Sequence, residues 1–313
     1  MTKPDYKTVA SRREALQLLG CGTLAAFMMP SLLAFRTDSI MKRKIPGTTE
    51  LLPVVGLGTW QTFDVGSDAE MRKQLTDVLL EMKRLGGAMI DSSPMYGRSE
   101  GVVGELTEKA GIKEAFFYAT KVWIEGEEAG IRQMNESMFR MGKIPIDLMQ
   151  IHNLVDWKTH VKTLRAWKSE EKIRYWGFTH YTERSHKTLE TLVRQQNPDF
   201  VQFNYSMAER NAEKRLLDTC RDMGVGVIIN RPYGGGSLFK TVKGKELPEW
   251  CAELDINSWG QYFLKYILSH EAVNVVIPGT SKVKHVIDNM GAGYGRIPDQ
   301  SERKKMLDYF IKL

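Results

Sequence analysis

Residues 200–229 read FVQFNYSMAERNAEKRLLDTCRDMGVGVII: an apolar run (200–203), a stretch where Ala212, Leu216, Leu217, Cys220 and Met223 recur at helical spacing, and a second apolar run (225–229). Apolar positions three and four apart define one face of an amphipathic helix. Short runs that stay apolar rather than alternating belong to strands covered on both faces, as in parallel sheets joined by helical crossovers. The same unit repeats outward. β-type runs occupy 54–57, 88–90, 116–120, 147–151, 174–178, 200–203, 225–229 and 273–277, with helical stretches at 68–85, 129–141, 157–169, 183–194, 212–223 and 258–268. Eight such strands close naturally into a (β/α)8 TIM barrel, expected here over residues 41–313. A short hairpin from Met41-Lys42-Arg43-Lys44-Ile45-Pro46-Gly47 precedes it and a helix over 301–311 ends it. The rival architecture, an open doubly wound sheet, wants a G-x-G-x-x-G turn after its first strand; Gly56-Leu57-Gly58-Thr59-Trp60-Gln61 lacks the third glycine.

The 313 residues are 42% hydrophobic and 26% charged, which describes a globular chain rather than a disordered one or a membrane bundle. The net charge of +6 sits at the front: residues 1–44 carry eight Lys or Arg against three Asp or Glu, and residues 45–313 carry 36 against 35. A nearly neutral body offers no cationic footprint to a polyanion, so nucleic acid is not an expected partner. Cys21, Cys220 and Cys251 form no C-x-x-C pair, and at most one disulfide could join the two in the body. There is no phosphate-binding GxxxxGK[ST] loop, and His270-Glu271 is followed by Ala272-Val273-Asn274, so an HExxH zinc site lacks its second histidine. No metal is expected.

Residues 1–40 differ in kind. A basic start leads into Ser11-Arg12-Arg13-Glu14-Ala15-Leu16, and no charge follows from Ala15 to Phe35. This reads as a targeting segment similar to the twin-arginine export signal, although the usual Phe after the arginine pair is missing. Export places the protein in the periplasm; an uncleaved leader attaches it to the membrane; if Met41 is the true start, the protein is cytoplasmic. The oligomeric state is not legible.

Functional groups of such barrels stand at the C-terminal ends of the strands. The second run ends in Asp91-Ser92-Ser93-Pro94-Met95-Tyr96-Gly97, the third in Ala119-Thr120-Lys121 and the fourth in Gln150-Ile151-His152. An acid, a phenol, an amine and an imidazole therefore converge on one mouth. Asp91 could hold Lys121 charged, and the ammonium is expected to lower the pKa of Tyr96. Tyr96 could then protonate a carbonyl oxygen, with His152 as second hydrogen-bond donor. Such a site supplies a proton but no hydride, so reduction needs a cofactor. Trp60, Met95, Trp123 and Trp157 follow strand ends and are expected to wall an apolar substrate pocket. The site is expected to be shallow, with Gly234-Gly235-Gly236 in its mobile cover.

These residues resemble the aldo/keto reductase superfamily from about Met41 to Leu313. The similarity rests on Gly56-Leu57-Gly58-Thr59-Trp60, the Asp91 to Gly97 motif with Glu100 following, Lys121, His152, and Ile277-Pro278-Gly279-Thr280. The resemblance implies hydride transfer between NADP(H), or alternatively NAD(H), and a small aldehyde or ketone, with Asp91, Tyr96, Lys121 and His152 as catalytic tetrad. It further implies cofactor contacts from Gly58, Thr59, Trp60 and Asp91, from Gln202 at the nicotinamide amide, and from Asn289 at the adenine. Where the family often has Ser-Asn this chain has Thr179-His180. Where many members stack a tyrosine on the nicotinamide it has Arg231-Pro232, with Arg231 as the planar group. Gly279, Thr280, Ser281, Lys282 and His285 would form the pocket for the adenosine phosphate, helped by Lys284 and a helix start. The superfamily also contains potassium-channel β subunits, so a nucleotide-sensing binding protein with little turnover is the alternative.

Overall fold

The apolar runs become strands because both faces of each are covered. The computed structural model of the chain describes residues 39–313; the twin-arginine-like stretch lies outside the described residues. A two-stranded antiparallel hairpin, β1 (Lys42–Lys44) and β2 (Leu51–Pro53), comes first. Eight parallel strands follow: β3 (Leu57–Gly58), β4 (Met89–Asp91), β5 (Phe117–Val122), β6 (Ile146–His152), β7 (Ile173–Thr179), β8 (Phe200–Asn204), β9 (Gly226–Asn230) and β10 (Val275–Val276). Their spatial order is their chain order. The ring closes between first and last through isolated parallel bridges, Val55 with Val276 and Gly58 with Gly279. The expected first and eighth runs, 54–57 and 273–277, are thus in place, but only two residues of each keep ladder geometry, and these pair with β4 and β9 instead of across the seam.

One longer helix crosses between each pair of consecutive strands: Ala69–Arg84, Ser99–Lys109, Glu127–Met141, Trp157–Ser169, His186–Gln196, Leu216–Met223 and Trp259–Leu268. Val283–Gly291 follows the eighth strand, and Gln300–Phe310 ends the barrel behind an Asp299 capping box. This is the (β/α)8 barrel, with its N-terminal hairpin and C-terminal helix.

Strand alternation splits the core in two. Met89, Phe117, Ala119, Leu148, Tyr175, Phe200, Ile228 and Val275 point inward and pack with Ile45 and Leu52 of the hairpin; the opposite strand faces pack against the helices. The hairpin is tied to the rim below: the Arg43 guanidinium donates to the carbonyls of Leu268 (2.5 Å), His270 (3.0 Å) and Val273. Its apolar residues plug the N-terminal end of the barrel, which leaves the C-terminal end for a ligand. Cys220 and Cys251 are both free and buried, so the one disulfide the body could have held is not formed.

Candidate active site

The parity that points Met89, Phe117, Leu148, Tyr175 and Phe200 inward also points Asp91, Lys121, Gln150, His152, Thr179 and Gln202 inward, nearer the strands' C-terminal ends. The apolar interior thereby gives way to a polar layer. Lys121 is fully buried, with Nζ 2.7 Å from Asp91 Oδ2 and donating to Ser92 O at 2.6 Å. The other Asp91 oxygen accepts from Gln202 Nε2 (2.8 Å) and Gln150 Nε2 (3.1 Å). Thr59 Oγ1 donates to the Asp91 carbonyl at 3.0 Å. Behind the barrel wall, buried Glu100 accepts from Thr120 and from Arg140 Nε (2.9 Å), so it steadies β5 and does not face the site.

Above this layer stands Tyr96, its ring centroid 5.1 Å from Lys121 Nζ and 5.8 Å from the His152 ring, edge to face. His152 Nδ1 lies 2.9 Å from Ser93 Oγ. Burial, with Lys121 and His180 adding to it, pushes the His152 imidazole down to about 2, so it is neutral. Burial alone would push Lys121 down; Asp91 and Tyr96 outweigh it and hold the ammonium above its ordinary value. The Tyr96 phenol is a correction to the sequence expectation. Burial pushes it up, Asp91 adds to the rise, and Lys121 only partly opposes them, so its pKa is raised, not lowered.

These groups face a cavity of about 720 Å³. Trp60, Met95 and Trp123 stand exposed at its rim, as expected, and Asp91 and Gln202 form its floor. Gly58, Thr59, Thr179, Arg231, Pro232, Gly235, Gly236 and Gly279 also line it.

Several expected residues stand elsewhere. Trp157 packs edge-on against Phe178 (6.3 Å) and is not in the cavity wall. His180 caps its own turn, Nδ1 accepting from the Tyr181 N–H at 2.9 Å, and its ring stacks on Tyr181 instead of facing a ligand. Gln202 reaches the floor, but its amide is committed at both ends: its oxygen accepts from Thr179 Oγ1 (3.0 Å) and Asn230 Nδ2 (3.3 Å). It braces Asp91. Thr280, Ser281, Lys282, His285 and Asn289 lie outside the cavity wall, on the segment that leaves it at Gly279. Thr280 Oγ1 accepts from Lys282 N at 3.1 Å, and Lys282 and His285 are exposed at the start of the helix Val283–Gly291. Asn289 accepts from Tyr233 at 2.6 Å. Burial, then Lys284 and Lys282, lower the pKa of His285.

The sequence reading missed Gln150, Asn153, Tyr181, Asn230 and Phe239. Gln150 was findable as the inward neighbour two residues before His152. Tyr181 and Phe239 sit on loops, where no period sets the direction of a side chain. Among the described residues no group of His, Cys, Asp and Glu is arranged to hold a metal ion.

Comparison with known proteins agrees with this geometry. The chain is 28% identical over 245 residues to methylglyoxal reductase YeaE of Escherichia coli, covering 76% of this chain and 84% of that protein. It is 29% identical over 242 residues to an NADH-specific methylglyoxal reductase of the same species, covering 66% and 72%. The fold superimposes on an aldo/keto reductase from Klebsiella pneumoniae, crystallised in complex with NADP and acetate, with TM-score 0.70 and 22% identity, over 85% of this chain and 94% of that one. A family model described as the aldo/keto reductase family matches residues 54–304. A closed barrel carrying an Asp–Lys pair beneath a tyrosine, over a span that this family's model covers almost end to end, has one reading: the chain belongs to the aldo/keto reductase family.

Proposed function

We propose that the chain is an NAD(P)H-dependent reductase of small aldehydes and ketones in which Tyr96 protonates the carbonyl oxygen. The observation that carries this is the buried Asp91–Lys121 pair directly beneath Tyr96, with a neutral His152 beside it.

The residues present fit a nicotinamide cofactor. Two buried polar atoms of wall residues, Asn230 Oδ1 and Arg231 Nε, have no hydrogen-bond partner among the described residues. Beyond the wall, Lys282 and Lys284 stand at the start of a helix whose N-cap residue, Lys282, makes no side-chain capping bond. Asn230, Arg231 and the glycines at 58, 235 and 236 would hold the nicotinamide end. Lys282, Lys284 and His285 would hold an adenosine phosphate, which favours NADP over NAD. When bound, the cofactor supplies the hydride.

The chain's own residues do the rest. Tyr96 keeps its proton at neutral pH and gives it to the oxygen that becomes an alkoxide, a far stronger base than a phenolate. Lys121 stabilises the phenolate left behind, and Asp91 offsets the cost of burying that ammonium. His152 donates a second hydrogen bond to the same oxygen. Trp60, Met95 and Trp123 exclude water around it. Methylglyoxal, the substrate named for two relatives, is the first carbonyl to try.

The test follows NADPH and NADH absorbance with methylglyoxal and a panel of aldehydes. Tyr96→Phe is expected to lower kcat about 10²–10⁴-fold while leaving the cofactor dissociation constant unchanged. Tight cofactor binding with no turnover on any carbonyl would turn the reading toward a nucleotide sensor. We also propose export through residues 1–40; a reporter fused behind them should reach the periplasm, and loss of that transport on Arg12→Lys with Arg13→Lys would assign it to the arginine pair.

A further inference from the structure

One buried hydroxyl of the site has no role in the mechanism above. Ser93 lies between Asp91 and Tyr96, fully buried, with Oγ 2.9 Å from His152 Nδ1. That oxygen accepts the Met95 N–H at 3.4 Å, a long bond that leaves its own hydrogen still to be placed. A buried hydroxyl places its hydrogen on an acceptor, and its one other bonded partner among the described residues is Nδ1. A neutral imidazole carries one donor and one acceptor nitrogen, and the partner of one nitrogen decides the state of the other. With Nδ1 accepting from Ser93, the ring proton sits on Nε2. Nε2 has no hydrogen-bond partner among the described residues, is not one of the atoms sealed from solvent, and belongs to a cavity-lining residue.

The other tautomer would defeat the site. With a lone pair on Nε2 the imidazole would present an acceptor to the carbonyl oxygen and could not donate to it. We propose that Ser93 is a positioning residue that fixes His152 as the Nε2–H tautomer, so that imidazole and phenol both donate to the carbonyl oxygen. The inference rests on the roles of Tyr96 and His152 given above.

Two measurements test it. In protein labelled with ¹⁵N-histidine, with His152 assigned by its loss in His152→Gln, Nδ1 should show the acceptor-type shift and Nε2 the donor-type shift. A proton on Nδ1 overturns the proposal without any variant having to fold. Ser93→Ala should lower kcat about 10–100-fold, with cofactor affinity unchanged and the His152 signals moved toward a mixture of tautomers. Ser93→Thr, which restores the hydroxyl, should recover most of the rate. Wild-type kcat in Ser93→Ala, or a lost rate with unaltered His152 signals, also overturns it. Full turnover in Tyr96→Phe or His152→Gln would instead sink the underlying functional reading, whatever the tautomer.

Discussion

The protonation states of two side chains decide how the site responds to pH. His152 is held neutral by burial far below any working pH, and Tyr96 is pushed up by burial and Asp91. Carbonyl reduction needs the phenol protonated, so kcat should stay flat from about pH 5 to 9 and fall only as pH rises through the phenol's raised value. Alcohol oxidation needs the phenolate and should rise over the same alkaline range. An inflection near pH 6.5 that disappears in His152→Gln would show that the imidazole titrates after all. Lys121→Met leaves Asp91 buried without its cation; it should destabilise the fold by about 3–5 kcal/mol in denaturant unfolding and abolish turnover. Asp91, Lys121 and His152 were legible in the sequence because a polar residue that ends an apolar strand is carried to the barrel mouth by parity; Tyr96, in the turn past Asp91, was read from the motif that follows the strand and not from parity. Their tuning was not. The sign of the Tyr96 shift depends on how deeply the phenol sits, and the sequence holds no measure of depth. His180 and Trp157 were misjudged for a related reason: both lie past a strand end, where loop dihedrals set side-chain direction. Asn153, Leu154 and Asp156 all turn with positive φ between His152 and the helix that begins at Trp157.

At the scale of elements, the apolar runs located every barrel strand because each is buried on both faces. The helix Ser99–Lys109 escaped the helical reading. It spans 11 residues, includes Gly101 and Gly104, and shows only Val102, Val103 and Leu106 as an apolar face. The helix predicted over 212–223 is broken at Arg215, whose φ of −157° separates a 3₁₀ turn from Leu216–Met223. Gly104 is explained by a contact that no sequence pattern encodes. A Cβ there would lie 2.2 Å from the Arg140 carbonyl oxygen and 2.9 Å from the Met141 carbonyl carbon, both backbone atoms of the neighbouring helix Glu127–Met141. Gly104→Ala must therefore push two helices apart despite alanine's better helix propensity. The expected outcome is a loss of about 1–3 kcal/mol in thermal or denaturant unfolding, where an exposed helical glycine would gain stability from the same change. Arg140, on the displaced helix, holds Glu100, which in turn holds Thr120 beside Lys121. The same variant should therefore also lower kcat.

Over the whole molecule, burial sets neutral imidazoles at several places in one barrel. His152 stands in the mouth, His186 opens a crossover helix, and His270 lies beside the hairpin that closes the other end. Burial is the leading cause that lowers the pKa of each. His186 shows why protonation would be costly: its Nε2 faces Asn204 Oδ1 at 3.1 Å and its Nδ1 faces the Asn211 amide nitrogen at 3.2 Å, so a second ring proton would oppose a donor. The unfolded chain binds these protons at the ordinary value of about 6.5, whereas the folded chain binds them only at lower pH. Their contribution to stability is therefore complete above about pH 6.5 and is lost as pH falls toward the folded values. Each imidazole that protonates only on unfolding adds a slope of up to about 1.4 kcal/mol per pH unit. Stability measured by denaturant should accordingly begin to fall below about pH 6.5, before the carboxylates titrate, and unfolding near pH 6 should take up protons. His186→Gln, remote from the tetrad, should reduce that uptake. Unfolding between pH 5 and 7 without proton uptake would mean that the folded barrel already carries these imidazoles protonated. The neutral His152 on which the site depends would then have to be given up as well.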